Sequence, residues 1–362
     1  MRPIELSYAL KETTSGKGLI KNALMDLLQA VRNAGSISAA AKDLNLSYRH
    51  VWGELKRWEI ELGQSLIVWD KGQAARLSPF GDKLLWAERQ AQARLAPQIE
   101  ALHADLERAI AQAFDANTQV LPFHASHDEA LAMLRKYCTQ LPTPLHLDIQ
   151  FTGSVDAIRA LNHGRCTMAG FHTLAQPAVG TLAQTTYKPL LKPGLHKIIG
   201  FAKRWQGLIV AKGNPLKIKS LADAGRHRFI NRELGTGTRL ILDELLFQQD
   251  LKPADFQGYD KTEPSHAAVA HAIASGQADV GLGLAFAADA LGLDFIPLIQ
   301  EHYHLVCLKA TLEQPAAQAM LAVLLSPIWK AMLDAMPGYG VQDCGQVQSL
   351  KNILPWWSFK PK

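Results

Sequence analysis

The sequence predicts a multidomain chain in three parts: a helix-rich winged helix-turn-helix head, a long dimerisation helix, and an α/β domain of two lobes. Three observations carry this. At 362 residues the chain exceeds what one hydrophobic core usually organises. From Leu19 to Phe114 the apolar residues fall almost wholly at helical spacing, whereas from Gln119 onward short strand-like runs alternate with amphipathic helices. The parts accordingly divide at 1–78, 79–115 and 119–362.

In the head, Leu24, Leu27, Leu28 and Val31 share one helical face, and Gly35 closes that helix. Ser36 or Ser38 caps a second, slim helix through Ala39, Ala40 and Ala41. Asn45 to Ser47 make a tight turn, and Ser47 caps a third helix that buries Val51, Leu55, Trp58 and Leu62. Its other face carries Tyr48, Arg49, His50, Trp52 and Lys56, either a solvated surface or a set that reaches phosphates and base edges in a major groove. Leu66 to Trp69, a tip at Lys71-Gly72-Gln73 and a return through Arg76-Leu77-Ser78 read as a two-stranded wing. Lys71 and Arg76 would lie along a phosphate backbone there, where positive charge gains affinity by releasing counterions.

Pro79 opens the long helix, and Leu95, Ile99, Leu102, Leu106 and Ile110 form a seam along it. One helix cannot bury such a stripe alone, so the seam meets either a second copy, giving a homodimer, or the chain's own C-terminal domain. Pro97 should kink or break the helix.

Composition bounds the function. With 48% hydrophobic and 20% charged residues the chain is an ordinary folded protein, which excludes disorder over long stretches. A net charge of +5 is compatible with nucleic acid but does not demand it. Residues 1–20 lack the apolar core of a signal peptide, and no later run approaches the roughly 18 apolar residues of a membrane span. The expectation is a cytoplasmic protein with no membrane partner. Cys138, Cys166, Cys307 and Cys344 include no CxxC pair and read as reduced, buried small hydrophobes, with no direct cation site.

The stretch Gly35-Ser36-Ile37-Ser38-Ala39-Ala40-Ala41-Lys42-Asp43-Leu44, with Leu46-Ser47-Tyr48-Arg49-His50-Val51-Trp52, resembles the winged helix-turn-helix of molybdate-responsive ModE-type regulators and, more distantly, LysR-type regulators. The similarity spans about residues 19–113. It implies a dimer on a palindromic double-stranded operator, possible assembly to a tetramer, and DNA contacts from Ser36, Ser47, Tyr48, Arg49, His50, Trp52, Lys56, Lys71 and Arg76.

In the C-terminal part, strands run directly into turns rich in Gly, Ser, Thr and His. Gln119 to Phe123 enters His124-Ala125-Ser126-His127-Asp128; Leu145 to Phe151 enters Thr152-Gly153-Ser154; Phe229 to Arg232 leads to Gly235-Thr236-Gly237-Thr238-Arg239; and Glu263-Pro264-Ser265-His266 opens another helix. Glycine permits close backbone approach, and the first amides of each following helix are unpaired donors at its positive end. An oxyanion is the natural guest, although Ser154 alternatively caps its own helix. Arg239 either forks onto that anion or pairs with a structural carboxylate. The ligand candidates are Ser126, His127, Gly153, Ser154, His172, Thr236, Gly237, Thr238, Arg239, Ser265 and His266. The histidines are equally compatible with ordinary core or surface roles.

The order of these elements, with Asp294 to Leu298 and His302 to Leu308 as two further strands, resembles a type II periplasmic-binding-protein fold. The blocks Gly153-Ser154, Ala169 to His172, Gln206 to Val210, Gly213 to Pro215, Asn231-Arg232, Gly235 to Arg239 and Ala274 to Asp279 resemble in particular the molybdate- and tungstate-binding domains found fused to ModE- or LysR-like heads. This implies a regulator that needs no cofactor and responds to molybdate or tungstate. The cationic and titratable groups leave a larger anionic metabolite or a molybdenum-cofactor-like ligand open. An enzyme is the contrasting class, but Ser126, His127 and Asp128 are adjacent and diverge where a triad must converge. GxSxG, HExxH and P-loop patterns do not occur.

Overall fold

The computed structural model describes residues 22–69, 75–114, 119–143 and 145–357. The reading of residues 1–20 and the wing tip with Lys71 fall outside the described residues. The chain forms two compact units, Met1–Leu85 and Trp86–Lys362, and the division falls inside the long helix rather than at its start.

In the first unit, α1 (Ala23–Ala34) is capped by Asn22, which accepts from the Leu24 and Met25 amides, and ends at Gly35 with φ +69°. Ser36 caps α2 (Ile37–Asp43), and Asn45, at φ +56°, makes the turn to α3 (Tyr48–Leu62), capped by Ser47. A hydroxyl cap contributes about 1 kcal/mol, which fixes where each short helix begins. β1 (Ile67–Val68) pairs antiparallel with β2 (Arg76–Leu77). Leu28, Val31, Ile37, Ala40, Val51, Leu55, Leu66 and Leu85 make the core, while Trp58 and Leu62 are only partly buried against it. α4 (Pro79–Phe114) starts where the Ser78 hydroxyl accepts from the Gly81 amide, and it continues through Pro97.

The second unit has two lobes. The first contains β3 (Gln119–Ala125), α5 (Glu129–Thr139), β4 (Leu145–Phe151), α6 (Ser154–Asn162), β5 (Met168–Leu174) and α7 (Leu182–Tyr187). β6 (His196–Val210) leads to the second, with α8 (Leu221–Gly225), β7 (Phe229–Arg232), α9 (Gly237–Gln248), β8 (Thr262–Glu263), α10 (His266–Ala274), β9 (Val280–Leu284) and α11 (Ala285–Asp289). β10 (Asp294–Leu308) returns to the first lobe, which α12 (Pro315–Leu325) and α13 (Pro327–Asp334) complete.

In the first lobe β3 lies parallel between β4 and β5; in the second β7 lies parallel between β8 and β9. β6 and β10, each 15 residues long, pair antiparallel and join the strands of both lobes into one ten-stranded sheet. β5 pairs with the last half of β10 and β9 with the last half of β6, so the chain crosses between lobes on these two strands. The sequence reading split β10 into two strands. Polar Gln300-Glu301 interrupts the apolar pattern, and the bulge between Pro297 and Ile299 shifts its register without ending it. The four cysteines are all buried thiols. Among the described residues no single helix is long and apolar enough to cross a membrane.

Candidate functional site

The four strand-to-helix turns meet. Ser126 Oγ lies 3.4 Å from Ser154 Oγ, and Thr238 Oγ1 lies 3.4 Å from His266 Nε2. The lobes touch where a Cβ on Gly153 would stand 2.6 Å from the Gly235 carbonyl oxygen, and one on Gly237 would stand 2.2 Å from the His172 ring. Only glycine permits such an approach at either place. The N-terminal turns of α6 and α9, one per lobe, therefore face a shared cleft, their amides at the positive ends of their helices.

The floor of the cleft is polar and buried, and comes from the two long strands. Arg204 on β6 stands opposite Glu301 on β10 and makes ion pairs with Glu301 and with Asp128, the N-cap of α5. Its Nη2 donates to His172 Nδ1 at 2.9 Å, and its guanidinium lies 4.9 Å from the Tyr303 ring. Burial, aided by Arg204, holds His172 well below the ordinary imidazole range, so the ring is neutral and accepts that bond. Gln206 Nε2 donates to Thr238 Oγ1 and to Glu301 Oε1, both at 3.0 Å. Burial, reinforced by Arg232 and Arg204, likewise keeps His266 neutral.

Arg232, the last residue of β7, is fully buried and has no carboxylate within ion-pair distance among the described residues. Its Nη1 donates only weakly, at 3.4 Å, to the Glu263 carbonyl, and its Nε is unpartnered. Burial pulls its pKa down to about 10, partly offset by Glu233, with Arg204 adding to the fall. Gln206 Oε1 and His266 Nδ1 are also buried without partners. Polar groups left this way each cost on the order of 1–3 kcal/mol unless another group answers them.

These placements sort the sequence candidates. Ser126, His127, Gly153, Ser154, His172, Gly237, Thr238 and His266 gather at the cleft. Ser154 is not its helix's cap: Gly153 holds that position, with no side-chain bond, leaving the serine hydroxyl to Ser126 and the cleft. Two hydroxyls are already occupied, Thr236 by its own turn, with Glu233 O and the Arg239 amide, and Ser265 by the Ala268 amide of its own helix and by Ala93 O of α4. Arg239 requires a correction. Its Nε is held by both oxygens of Asp243, at 3.2 and 3.3 Å, and its guanidinium stacks 4.1 Å over Tyr259, so its charge is already answered. The arginines of the cleft are Arg204 and Arg232. Neither lies in a glycine-rich turn: Arg204 sits in mid-strand beside Lys203 on β6, and Arg232 ends β7 beside Asn231.

On the head, Tyr48, Arg49, His50 and Trp52 are exposed along one side of α3, Tyr48 at 52% and Trp52 at 41%. Ser36 and Ser47 spend their hydroxyls as caps, and Arg76 is exposed on β2. Lys56 is tied down: its ammonium sits 2.7 Å from Glu59 and 5.2 Å from the Trp69 ring, while Glu59 accepts from the Leu66 and Ile67 amides. It braces α3 against the wing strand, so its charge is less available to DNA than that of Arg49.

Comparison with known proteins accounts for both units. Residues 136–325 match the PBP superfamily domain, and residues 23–82 match the bacterial regulatory helix-turn-helix protein, lysR family. Uncharacterized protein YvgK of Bacillus subtilis (strain 168) is 36% identical over 207 residues, covering 57% of this chain and 65% of YvgK. An uncharacterized protein of Clostridium pasteurianum, from the 5′ region of the ferredoxin 2Fe-2S gene, is 31% identical over 113 residues, 30% of this chain and 96% of its own length. The chain thus spans slightly under two thirds of the first relative and nearly all of the second. Among solved structures, an OxyR variant of Corynebacterium glutamicum aligns over 82% of this chain and 90% of its own at 16% identity and TM-score 0.41, too distant to carry an argument. The chain belongs to the PBP superfamily and joins that domain to a segment that matches the helix-turn-helix of the bacterial lysR family.

Proposed function

We propose that the chain is a cytoplasmic, homodimeric transcription regulator that binds an operator through its head and an oxyanion between its lobes. Molybdate and tungstate are the first anions to test, from the resemblance of the sequence to ModE-type regulators, and no cofactor is needed. The functional parts are 1–78 for DNA, 79–115 for dimerisation and 119–362 for sensing. Leu95, Leu102 and Ile110 along α4 are exposed and support pairing with a second copy, with a tetramer as a further assembly.

The observation that carries the ligand reading is Arg232, a buried guanidinium with no ion-paired carboxylate among the described residues, at the end of the strand that leads into the N-terminal turn of α9. An oxyanion there gains charge-assisted hydrogen bonds and removes the cost of an isolated buried cation. Calorimetric titration of the full chain with molybdate, tungstate, sulfate and phosphate tests this. Arg232→Gln is expected to weaken uptake roughly a hundredfold or more. Absence of heat from all four anions with the natural chain overturns the oxyanion reading. A second reading, a larger anionic metabolite or molybdenum-cofactor-like ligand, is favoured by the number of side chains around the cleft, His127, His172 and His266 included.

For the head, the support is the exposed Tyr48-Arg49-His50 run at the start of α3, where a major-groove helix makes its base contacts. Arg49→Ala is expected to weaken binding to DNA from upstream of the chain's own coding region. It should also lower the slope of log affinity against log salt by about 1. Unchanged affinity at every salt concentration in a mobility-shift titration would remove α3 from the DNA interface.

A further inference from the structure

The part of α4 that belongs to the second unit touches both lobes. Toward the helix start, Trp86 packs edge-on against His271, their ring centroids 5.9 Å apart. Arg94 grips Glu263 with Nε at 2.8 Å and Nη2 at 2.5 Å, Gln90 Nε2 adds a bond to the same carboxylate at 3.1 Å, and Gln277 donates to Gln90. All these partners belong to the second lobe. Farther along, Glu100 Oε2 lies 3.3 Å from His127 Nε2, the Glu100 carbonyl accepts from Arg135 Nη1 at 2.6 Å, and Arg108 pairs with Asp148. Those partners belong to the first lobe. Gln90 to Arg108 spans roughly 27 Å of helix at 1.5 Å per residue, enough to bridge the two.

Pro97 lies between the two sets of contacts. Having no N–H, it leaves the carbonyl four residues earlier, that of Ala93, without its intrahelical donor. The buried hydroxyl of Ser265 supplies it, donating to Ala93 O at 3.2 Å while capping α10 through the Ala268 amide. The proline therefore creates an acceptor on the helix that the second lobe uses. Several of these anchors adjoin the cleft: His127 follows Ser126, Ser265 precedes His266, and the carbonyl of Glu263 accepts from Arg232.

We infer that α4 is a strap across the mouth of the cleft, holding both lobes shut, so that opening for ligand exchange requires its release from one of them. Because the same helix continues into the unit that carries α3, access to the cleft is governed by the segment that joins the two units. The inference rests on the cleft being the ligand site, and its test uses no ligand, so each reading fails separately.

The test is hydrogen exchange read by mass spectrometry on the ligand-free full chain, comparing the natural sequence with Arg94→Ala and Glu100→Ala. Each replacement removes one side-chain anchor, and the two anchors lie at opposite ends of the strap. Both are expected to speed exchange about tenfold at residues 152–158 and 234–241, the turns that meet across the cleft, and to leave 320–324 in the core of the first lobe unchanged. Acceleration confined to the neighbours of each replaced residue, 90–100 with 262–266 for Arg94→Ala and 96–104 with 124–136 for Glu100→Ala, overturns the strap. So does uniform acceleration that includes 320–324.

Discussion

Arg204→Ala is expected to destabilise the two-lobed unit by about 3–5 kcal/mol, since it leaves Asp128 and Glu301 buried with no opposite charge between them. The natural guanidinium serves two carboxylates and the ring nitrogen of His172 at once, which needs a planar fork of donors. Arg204→Lys should therefore recover little, because one ammonium cannot reach three acceptors arranged for a plane. Equilibrium urea unfolding of the three proteins checks this. A loss below about 1 kcal/mol for Arg204→Ala would mean that the two acids take up protons or water without penalty, and that the network is not what fixes the cleft floor.

The second large effect is acid sensitivity. Burial pulls His304 down to about 3, with His302 adding to the fall, and pulls His271 down to about 4, with Arg89 adding. His172 and His266 are lowered in the same direction. A histidine depressed in the fold contributes stability that is present above its unfolded pKa near 6.5 and is lost as pH falls toward the folded value. While in that window each contributes a slope of about 1.4 kcal/mol per pH unit. Glu129 and Glu301, raised by burial, have the opposite sign. So has His127, in which Glu100 and Glu129 outweigh the lowering by burial.

The expected net result is a stability that falls steadily from pH 6.5 to 4.5. His304→Gln isolates one contributor, since glutamine keeps a polar group for Thr173 but does not titrate. Its urea midpoints over that interval should give a slope shallower by about 1.4 kcal/mol per pH unit. Parallel slopes for the two proteins would show that His304 titrates in the fold as it does in the unfolded chain.

Local chemistry explains what could be read from the sequence. Ser36, Ser47 and Gly35 act within three or four residues of themselves, so spacing alone located α1 to α3. The turns around Gly153 and Gly235 to Thr238 were legible for the same reason. What escaped depends on distant pairing. Arg204 meets Glu301 only because two strands nearly a hundred residues apart lie in register, and Arg94 meets Glu263 across a still longer stretch. Arg239 was the natural choice by composition, yet Asp243 one helical turn later neutralises it, while Arg232 at the strand end lacks such a neighbour. The apolar seam on α4 was read as facing either a second copy or this chain. The helix has room for both, since Arg94, Glu100 and Arg108 reach the lobes while Leu95, Leu102 and Ile110 stay exposed.

The two 15-residue strands that run through both lobes have one more consequence. A sensor assembled from two independent halves joined by a linker would let either half be deleted, swapped or inherited alone. Here each half supplies the other's central ribbons, so removing one strips the survivor of its middle and exposes two rows of unpaired amides and carbonyls. Evolution can vary the turns that line the gap between the halves more freely than the ribbons the halves share.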